Sequence, residues 1–231
     1  MPFRRSIVTM AALIFAPASF AQDSAPKPLF DGKTLDGWKV ESGKAEYRAE
    51  DGAIVGKTVT GSGNTFLCKG PFRDFVLELD VKCDPSLNSG VQVRSHLYEA
   101  GSEGARKHHV GRLYGPQCEI AVRGTAGKFY DEARLGKWID GESPKSPEAA
   151  KAFKDDDWNH YRIVVQGDRY RSWVNGVATA DFTDDRDKEG LIGLQVHGVG
   201  KGKGPYEVRW KNVVIQELTP GQAVPEPAAA R

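Results

Sequence analysis

Period-two alternation of apolar and polar side chains runs through this chain and restricts it to sheet. FVLELDVKC at 75–83 is the clearest case. Phe75, Leu77, Leu79, Val81 and Cys83 fall on one face, and Glu78, Asp80 and Lys82 on the other. Strand side chains alternate with this period, so the segment reads as a half-buried antiparallel strand. Three shorter segments share the period but carry polar groups on their exposed face: VQVRS at 91–95, QCEI at 117–120 and LQVHG at 194–198. Gln92 then shares a face with Arg94, Gln117 with Glu119, and Gln195 with His197. Val93, Cys118 and Val196 point the other way. If these strands lie in one sheet, its open face holds an arginine, a carboxylate, an imidazole and three amides, which is the lining of a polar-ligand site.

Turn chemistry divides the rest of the chain into similar short strands. AEYRAEDGAIVG at 45–56 reads as strand, Asp-Gly hairpin turn, strand. WNHYRIVVQGDRYRSWVNGVATADF at 158–182 is a run of strands punctuated by Gly167-Asp168 and Asn175-Gly176, and YEVRWKNVVIQEL at 206–218 is the last strand. GKFYDEARLGKWI at 127–139 fits a helical turn or a short strand. No segment has the pattern of a long amphipathic helix, so the βα crossovers of a parallel sheet are missing. Many short strands joined by Gly, Asn and Asp turns predict an all-β sandwich with long polar loops. The longest of these loops, 96–116, holds three of the five histidines and is of the kind that often carries function.

The termini read differently. Arg4 and Arg5, the apolar stretch IVTMAALIFA and the small-residue ending Ser19-Phe20-Ala21 form a secretory signal peptide over residues 1–21. An uncleaved anchor is the rival, but a span needs about 20 apolar residues. The signal looks bacterial, so the product is expected in the periplasm or outside the cell, with no transmembrane segment after cleavage. Residues 22–28 read as a flexible leader, 29–218 as one domain, and the Pro/Ala-rich 219–231 as a disordered tail.

Cleavage takes away two arginines and no acid, moving the formal balance from +1 to −1. A nucleic-acid binder would carry a basic stripe, and none is present. There is no dinucleotide fingerprint either, so no nucleotide cofactor is expected. The three cysteines, Cys68, Cys83 and Cys118, allow one disulfide with a thiol left over, or three small buried hydrophobes. Trp38, Trp158, Trp173 and Trp210 are expected to pack rather than to bind.

A series of segments in fixed order adds a further reading: LFDGKTLDGWK, NSGVQVRS, YGPQCEI, FYDEARLGKWI, WNHYRIVVQGDRYRSWVNG, GLIGLQVHG and VRWKNVVIQEL. Together, over about residues 29–218, they resemble the 3-keto-disaccharide hydrolase-like domain. That family resembles concanavalin A-like lectins and glucanases in fold, which implies a jelly roll of two curved antiparallel sheets. The implied substrate is a saccharide, a 3-keto-glycoside or 3-keto-disaccharide cleaved at its glycosidic bond. Such a substrate requires a separate sugar 3-oxidoreductase to make it. In related sequences the carboxylate strand often continues as Glu-Ile-Asp, but here it reads Glu119-Ile120-Ala121.

A ketone at C3 acidifies the C2 proton, and its removal lets the C1 substituent leave. Adding water to the unsaturated sugar completes a net hydrolysis. Elimination of this kind needs a base, a positive group for the oxyanion and an acid for the leaving group. Glu119 is the expected base and Arg94 the oxyanion partner. His197 is expected to be acid, base or metal ligand, since imidazole exchanges protons near neutral pH. Ordinary glycosidases use paired carboxylates. No second carboxylate stands out beside Glu119, which favours elimination. Gln92, Gln117 and Gln195 are expected to hold hydroxyls, because amides donate and accept. Asn88 either caps its turn or enters the site. Tyr130 and Asp131 are expected at the rim, and His109, beside His108, over the substrate. These groups leave room for a divalent cation. The alternatives are a non-catalytic carbohydrate-binding module and a conventional glucanase-like hydrolase.

Overall fold

The computed structural model describes residues 25–121 and 124–227. The expected signal peptide at 1–21 lies outside the described residues. Fourteen strands follow in chain order. The first seven are β1 (Lys27–Pro28), β2 (Lys39–Glu41), β3 (Glu46–Glu50), β4 (Ala53–Lys57), β5 (Thr65–Phe72), β6 (Phe75–Cys83) and β7 (Ser89–Leu97). The rest are β8 (Leu113–Ile120), β9 (Phe129–Glu132), β10 (Asn159–Gln166), β11 (Arg169–Val174), β12 (Val177–Thr183), β13 (Gly190–Val196) and β14 (Glu207–Glu217). One sheet has the order β12-β11-β10-β6-β14-β4-β3, with β1 beside β14. The other has the order β2-β5-β13-β7-β8-β9. The two antiparallel sheets form the expected sandwich.

The alternation read from the sequence decides what lies between the sheets. Phe75, Leu77, Leu79, Val81 and Cys83 of β6 meet Val91 and Val93 of β7, Cys118 and Ile120 of β8, and Ile192, Leu194 and Val196 of β13 in one core. Each fully buried aliphatic or aromatic side chain contributes about 1.5–3 kcal/mol. Trp210 is fully buried, and Trp38 joins the core with its Nε1 donating to the Leu29 carbonyl at 3.2 Å. The β3–β4 hairpin turns on Asp51 and Gly52, both at positive φ, as a two-residue hairpin requires. All three cysteines are free and buried, so the second reading of them holds.

Three stretches differ from expectation. Lys27 and Pro28, read as leader, pair with Ile215 and Val214 of β14. The 96–116 loop contains a helix, α1 (Glu103–His108), capped by Ser102, whose Oγ accepts from Ala105 N at 3.1 Å. Residues 219–227, read as disordered, run along the outer face of the larger sheet. There Val224 packs against a cluster of Val76, Val164 and Trp173, and the Pro225 carbonyl accepts from Arg162 at 3.2 Å.

Arg94 also departs from the pattern. Strict alternation puts it beside Gln92, but β7 bulges between Gln92 and His96, and Arg94 takes φ 46°. The bulge breaks the period and turns the side chain to the other sheet. Its guanidinium is fully buried and donates to the carbonyls of Arg73, Gly167 and Asp187 and to the Asp74 carboxylate at 2.6 Å. Arg94 is therefore a brace across the end of the sandwich, away from the expected site face. Removing one partner of a buried, hydrogen-bonded ion pair costs about 3–5 kcal/mol. Arg94→Met is expected to lower the unfolding free energy by that amount in urea titrations; a loss below about 1 kcal/mol would mean that the brace is dispensable.

Candidate functional site

The register of the smaller sheet builds a polar row on its outer face. Gln92 on β7 lies opposite Gln117 on β8, which lies opposite Tyr130 on β9. One step along, Gly90 is opposite Glu119. A side chain at 90 would collide with this arrangement, since a Cβ there would sit 2.5 Å from Cδ of Gln117. The missing side chain lets Gln117 lie flat and reach Glu119. Together with Asn88, Asn64 and His197 at the neighbouring strand ends, these groups line a cleft of about 410 Å³. Tyr130, Glu132 and Trp138 form its wall on the β9 side. The volume is at the lower end of the roughly 300–1,000 Å³ usual for small-ligand sites.

Glu119 is the most perturbed group of the cleft. It is 6% exposed. One carboxylate oxygen accepts from Asn88 Nδ2, and the other from Gln117 Nε2 at 3.1 Å. Burial pushes its carboxyl up to about 7; the two amide hydrogen bonds pull it down, and the charge of Glu132 adds to the rise. The strand under it is fixed from the core side, where the Tyr161 hydroxyl donates to the Glu119 backbone carbonyl at 3.1 Å. Asn88 thus enters the site rather than only capping its turn.

His197 follows β13 directly. Its Nδ1 lies 2.8 Å from the Gly198 carbonyl. A carbonyl only accepts, so Nδ1 carries the hydrogen and Nε2 remains for chemistry. Asn64 ties this corner to the opposite wall. Its Oδ1 accepts from Gly198 N at 2.9 Å, and its Nδ2 donates to Glu132 at 3.2 Å.

Glu132 is the second carboxylate that the Glu-Ile-Ala run did not offer. It comes from β9, the strand next to that of Glu119, and shares a face with Tyr130 two residues before it. Its oxygen also accepts from Arg112, whose guanidinium lies over the Phe66 ring at 5.1 Å. Glu132 is therefore tied into the cleft wall by an ion pair with Arg112.

Several expected residues lie elsewhere. Gln92 and Gln195 share the predicted face but are fully buried beneath it, and Leu113 packs over the backbone between them at Gly193. Both amide atoms of Gln195 lack a protein partner. Asp131 alternates with Tyr130 and so faces away. It is buried in an ion-pair cluster with Arg134, which also binds Asp187. Exposed His109 sits at the end of α1 with its Nδ1 3.0 Å from the Val110 carbonyl. His108 stacks on Tyr98 instead of reaching the cleft. Among the described residues, no three His, Cys, Asp or Glu side chains gather as metal ligands. The sequence reading passed over Asn64, Glu132 and Trp138. Asn64 and Trp138 stand outside regular strands, where alternation carries no information.

The model of the 3-keto-alpha-glucoside-1,2-lyase-like domain matches residues 25–216. The chain belongs to this family. A 3-keto-disaccharide hydrolase of Bacteroides thetaiotaomicron is 23% identical over 217 residues, covering 74% of this chain and 73% of that protein. Among solved structures, a carbohydrate-binding module of Bacillus subtilis superposes with a TM-score of 0.55 at 17% identity, over 78% of this chain and 96% of its own. A Bacillus subtilis protein of galectin-like fold gives 0.59 at 13% identity, over 86% and 99%. At such identities these structures share the fold, which is the jelly roll that the resemblance implied.

Glu119 has a stability signature. Its folded carboxyl titrates near 7, above the ordinary 4.5. Between these values the folded protein keeps a proton that the unfolded chain releases, so stability falls as pH rises through this window. Glu119→Gln removes the loss. The variant is expected to exceed the wild type by up to about 3 kcal/mol at pH 8, with the gap closing towards pH 4.5. Urea unfolding at pH 5 and pH 8 checks this; an equal difference at both would mean that Glu119 is not the buried acid described.

Proposed function

We propose that this family member is a secreted bacterial enzyme that cleaves the glycosidic bond of 3-keto-glycosides, by C2-proton abstraction and elimination followed by hydration. The observation that carries this reading is the Glu119 carboxyl, lifted to about 7 by burial inside a polar cleft that also holds His197. A base of that strength is half ionised at neutral pH and strong enough to take a proton activated by a ketone.

In the proposed sequence Glu119 takes the C2 proton. The charge that develops on the C3 oxygen is met by amide N–H groups. Asn88 keeps one N–H beyond the one it gives Glu119, so amides take the place that Arg94 was expected to fill. Charged His197 gives its Nε2 proton to the glycosidic oxygen as the C1–O bond breaks. Water then adds its hydroxyl to C1 of the unsaturated sugar, its proton returning to His197, while Glu119, its proton exchanged with solvent at the elimination stage, protonates C2. The net change is hydrolysis.

Direct hydrolysis needs a free acid and a free base or nucleophile. Glu132 is poorly suited to either part, because Arg112 and Asn64 both donate to its Oε1 and commit the side chain to the wall. The keto sugar would come from a separate oxidoreductase. The signal-peptide pattern of residues 1–21 supports a periplasmic or extracellular site of action.

The test is to incubate the mature protein with 3-keto-glycosides and their unoxidised parents, with and without chelator, in heavy-oxygen and in deuterated water. The expected outcome is cleavage of keto substrates alone, with deuterium at C2 and heavy oxygen at C1. Glu119→Gln should lose about 10²- to 10⁴-fold in kcat, and the acidic limb of the wild-type pH–rate profile, where Glu119 gains its proton, should centre near pH 7. Cleavage without C2 deuterium would replace elimination by direct hydrolysis. Binding without cleavage would favour a carbohydrate-binding module, and loss of cleavage with chelator would add a divalent cation to the site.

A further inference from the structure

We propose that Trp138, backed by Tyr130, forms a subsite for the leaving group, and that it takes a pyranose ring. The inference rests on the reaction proposed for the same cleft and assigns the second half of the substrate.

The chain doubles back after β9 and fixes Trp138 through its neighbours. The Lys137 carbonyl accepts from Asp131 N at 2.9 Å, and Ile139 N donates to the Phe129 carbonyl at 3.0 Å. Phe129 is fully buried in the core and Ile139 packs against it. Trp138, one position before Ile139, is half-buried and reaches the cleft wall instead. Its ring meets Tyr130 edge to face, with centroids 5.3 Å apart. Lys128 Nζ sits 4.9 Å from the indole centroid. That ammonium is itself held by the carbonyls of Gly141 at 2.5 Å and Ser143 at 2.9 Å. The indole is therefore a rigid plate on an otherwise polar site.

Position gives the plate its partner. The ring that loses its C2 proton must meet Glu119 and present its hydroxyls to Asn88, Asn64 and Gln117. Tyr130 is the cross-strand neighbour of Gln117, and Trp138 bridges Tyr130 from the far side. Two strand spacings separate Trp138 from β8, about 10 Å. Both Trp138 and Glu119 line the one cleft, so the sugar joined through C1 of the ring at Glu119 extends towards the indole. A pyranose has an apolar C–H face that packs on the electron-rich face of an indole. A methyl aglycone has no such face to offer.

The experiment compares kcat/KM for a 3-keto-disaccharide and a 3-keto methyl glucoside in the wild type, Trp138→Ala, Trp138→Leu and Trp138→Phe. The ratio of disaccharide to methyl glycoside is expected to fall about 10-fold or more in the alanine and leucine variants and to recover largely in the phenylalanine variant. The leucine variant retains bulk, so a fold defect in the alanine variant does not remove the test. An unchanged ratio in the leucine variant would overturn the proposal. If the wild type cleaves neither substrate, the proposed reaction fails, and the subsite is then read from disaccharide binding by calorimetry. Weaker binding of the disaccharide, relative to the methyl glycoside, in Trp138→Leu would uphold it, and equal relative binding would overturn it.

Discussion

The structure depends on the two-faced character of three strands. β7, β8 and β13 are apolar towards the larger sheet, and on the outer side carry the polar groups of the cleft beside an apolar patch of Phe66, Cys68 and Leu113. The apolar face secures the strands by area removed from water. The polar face can then hold a carboxylate in a place where burial penalises its charge. Glu119 is uncomfortable when ionised, and a weaker scaffold would move to relieve it. Here Tyr161 fixes its backbone from beneath, and Asn88 and Gln117 fix its oxygens from above. Such sites commonly cost stability and are carried by the rest of the fold.

The cleft is asymmetric in a way that matters for chemistry. Its two carboxyl groups have opposite environments. Glu119 has amide neighbours and little water, which raises its proton affinity. Glu132 has an arginine and an amide, which fit the anion. Carboxyls in such different surroundings take different parts. The alanine at 121 therefore does not leave the cleft with one acid. β9 supplies the second, already committed to holding the wall together.

Much of this was legible in the sequence because periodicity encodes faces. FVLELDVKC declared the core side of β6, the Asp-Gly and Asn-Gly pairs declared their hairpins, and Gln117, Glu119 and His197 were found from alternation. The same rule failed where the period breaks. The bulge at Arg94 turns a long cation through the sandwich, and nothing in VQVRS marks it. Gln92 and Gln195 lie on the right face, but the pattern does not show that Leu113 covers that part of it. Asp131 and Tyr130 are neighbours on one strand and so take opposite faces, which leaves only Tyr130 at the rim. Trp138 and Asn64 owe their positions to long-range pairing, which a local pattern does not carry. The helix α1 is only six residues long, with glycine at 104, so its periodic signal is weak.

The buried cysteines bear on how the chain matures. Each thiol is pushed up by burial, Cys68 and Cys83 to about 12, so none supplies thiolate at ordinary pH. The finished fold is thus indifferent to the redox state around it. The nascent chain is not, because before collapse all three sulfurs meet whatever oxidant the compartment holds. In an oxidising compartment, burial of β5, β6 and β8 becomes a race against cross-linking. The strand-rich topology, whose long-range pairings form slowly, makes that race close.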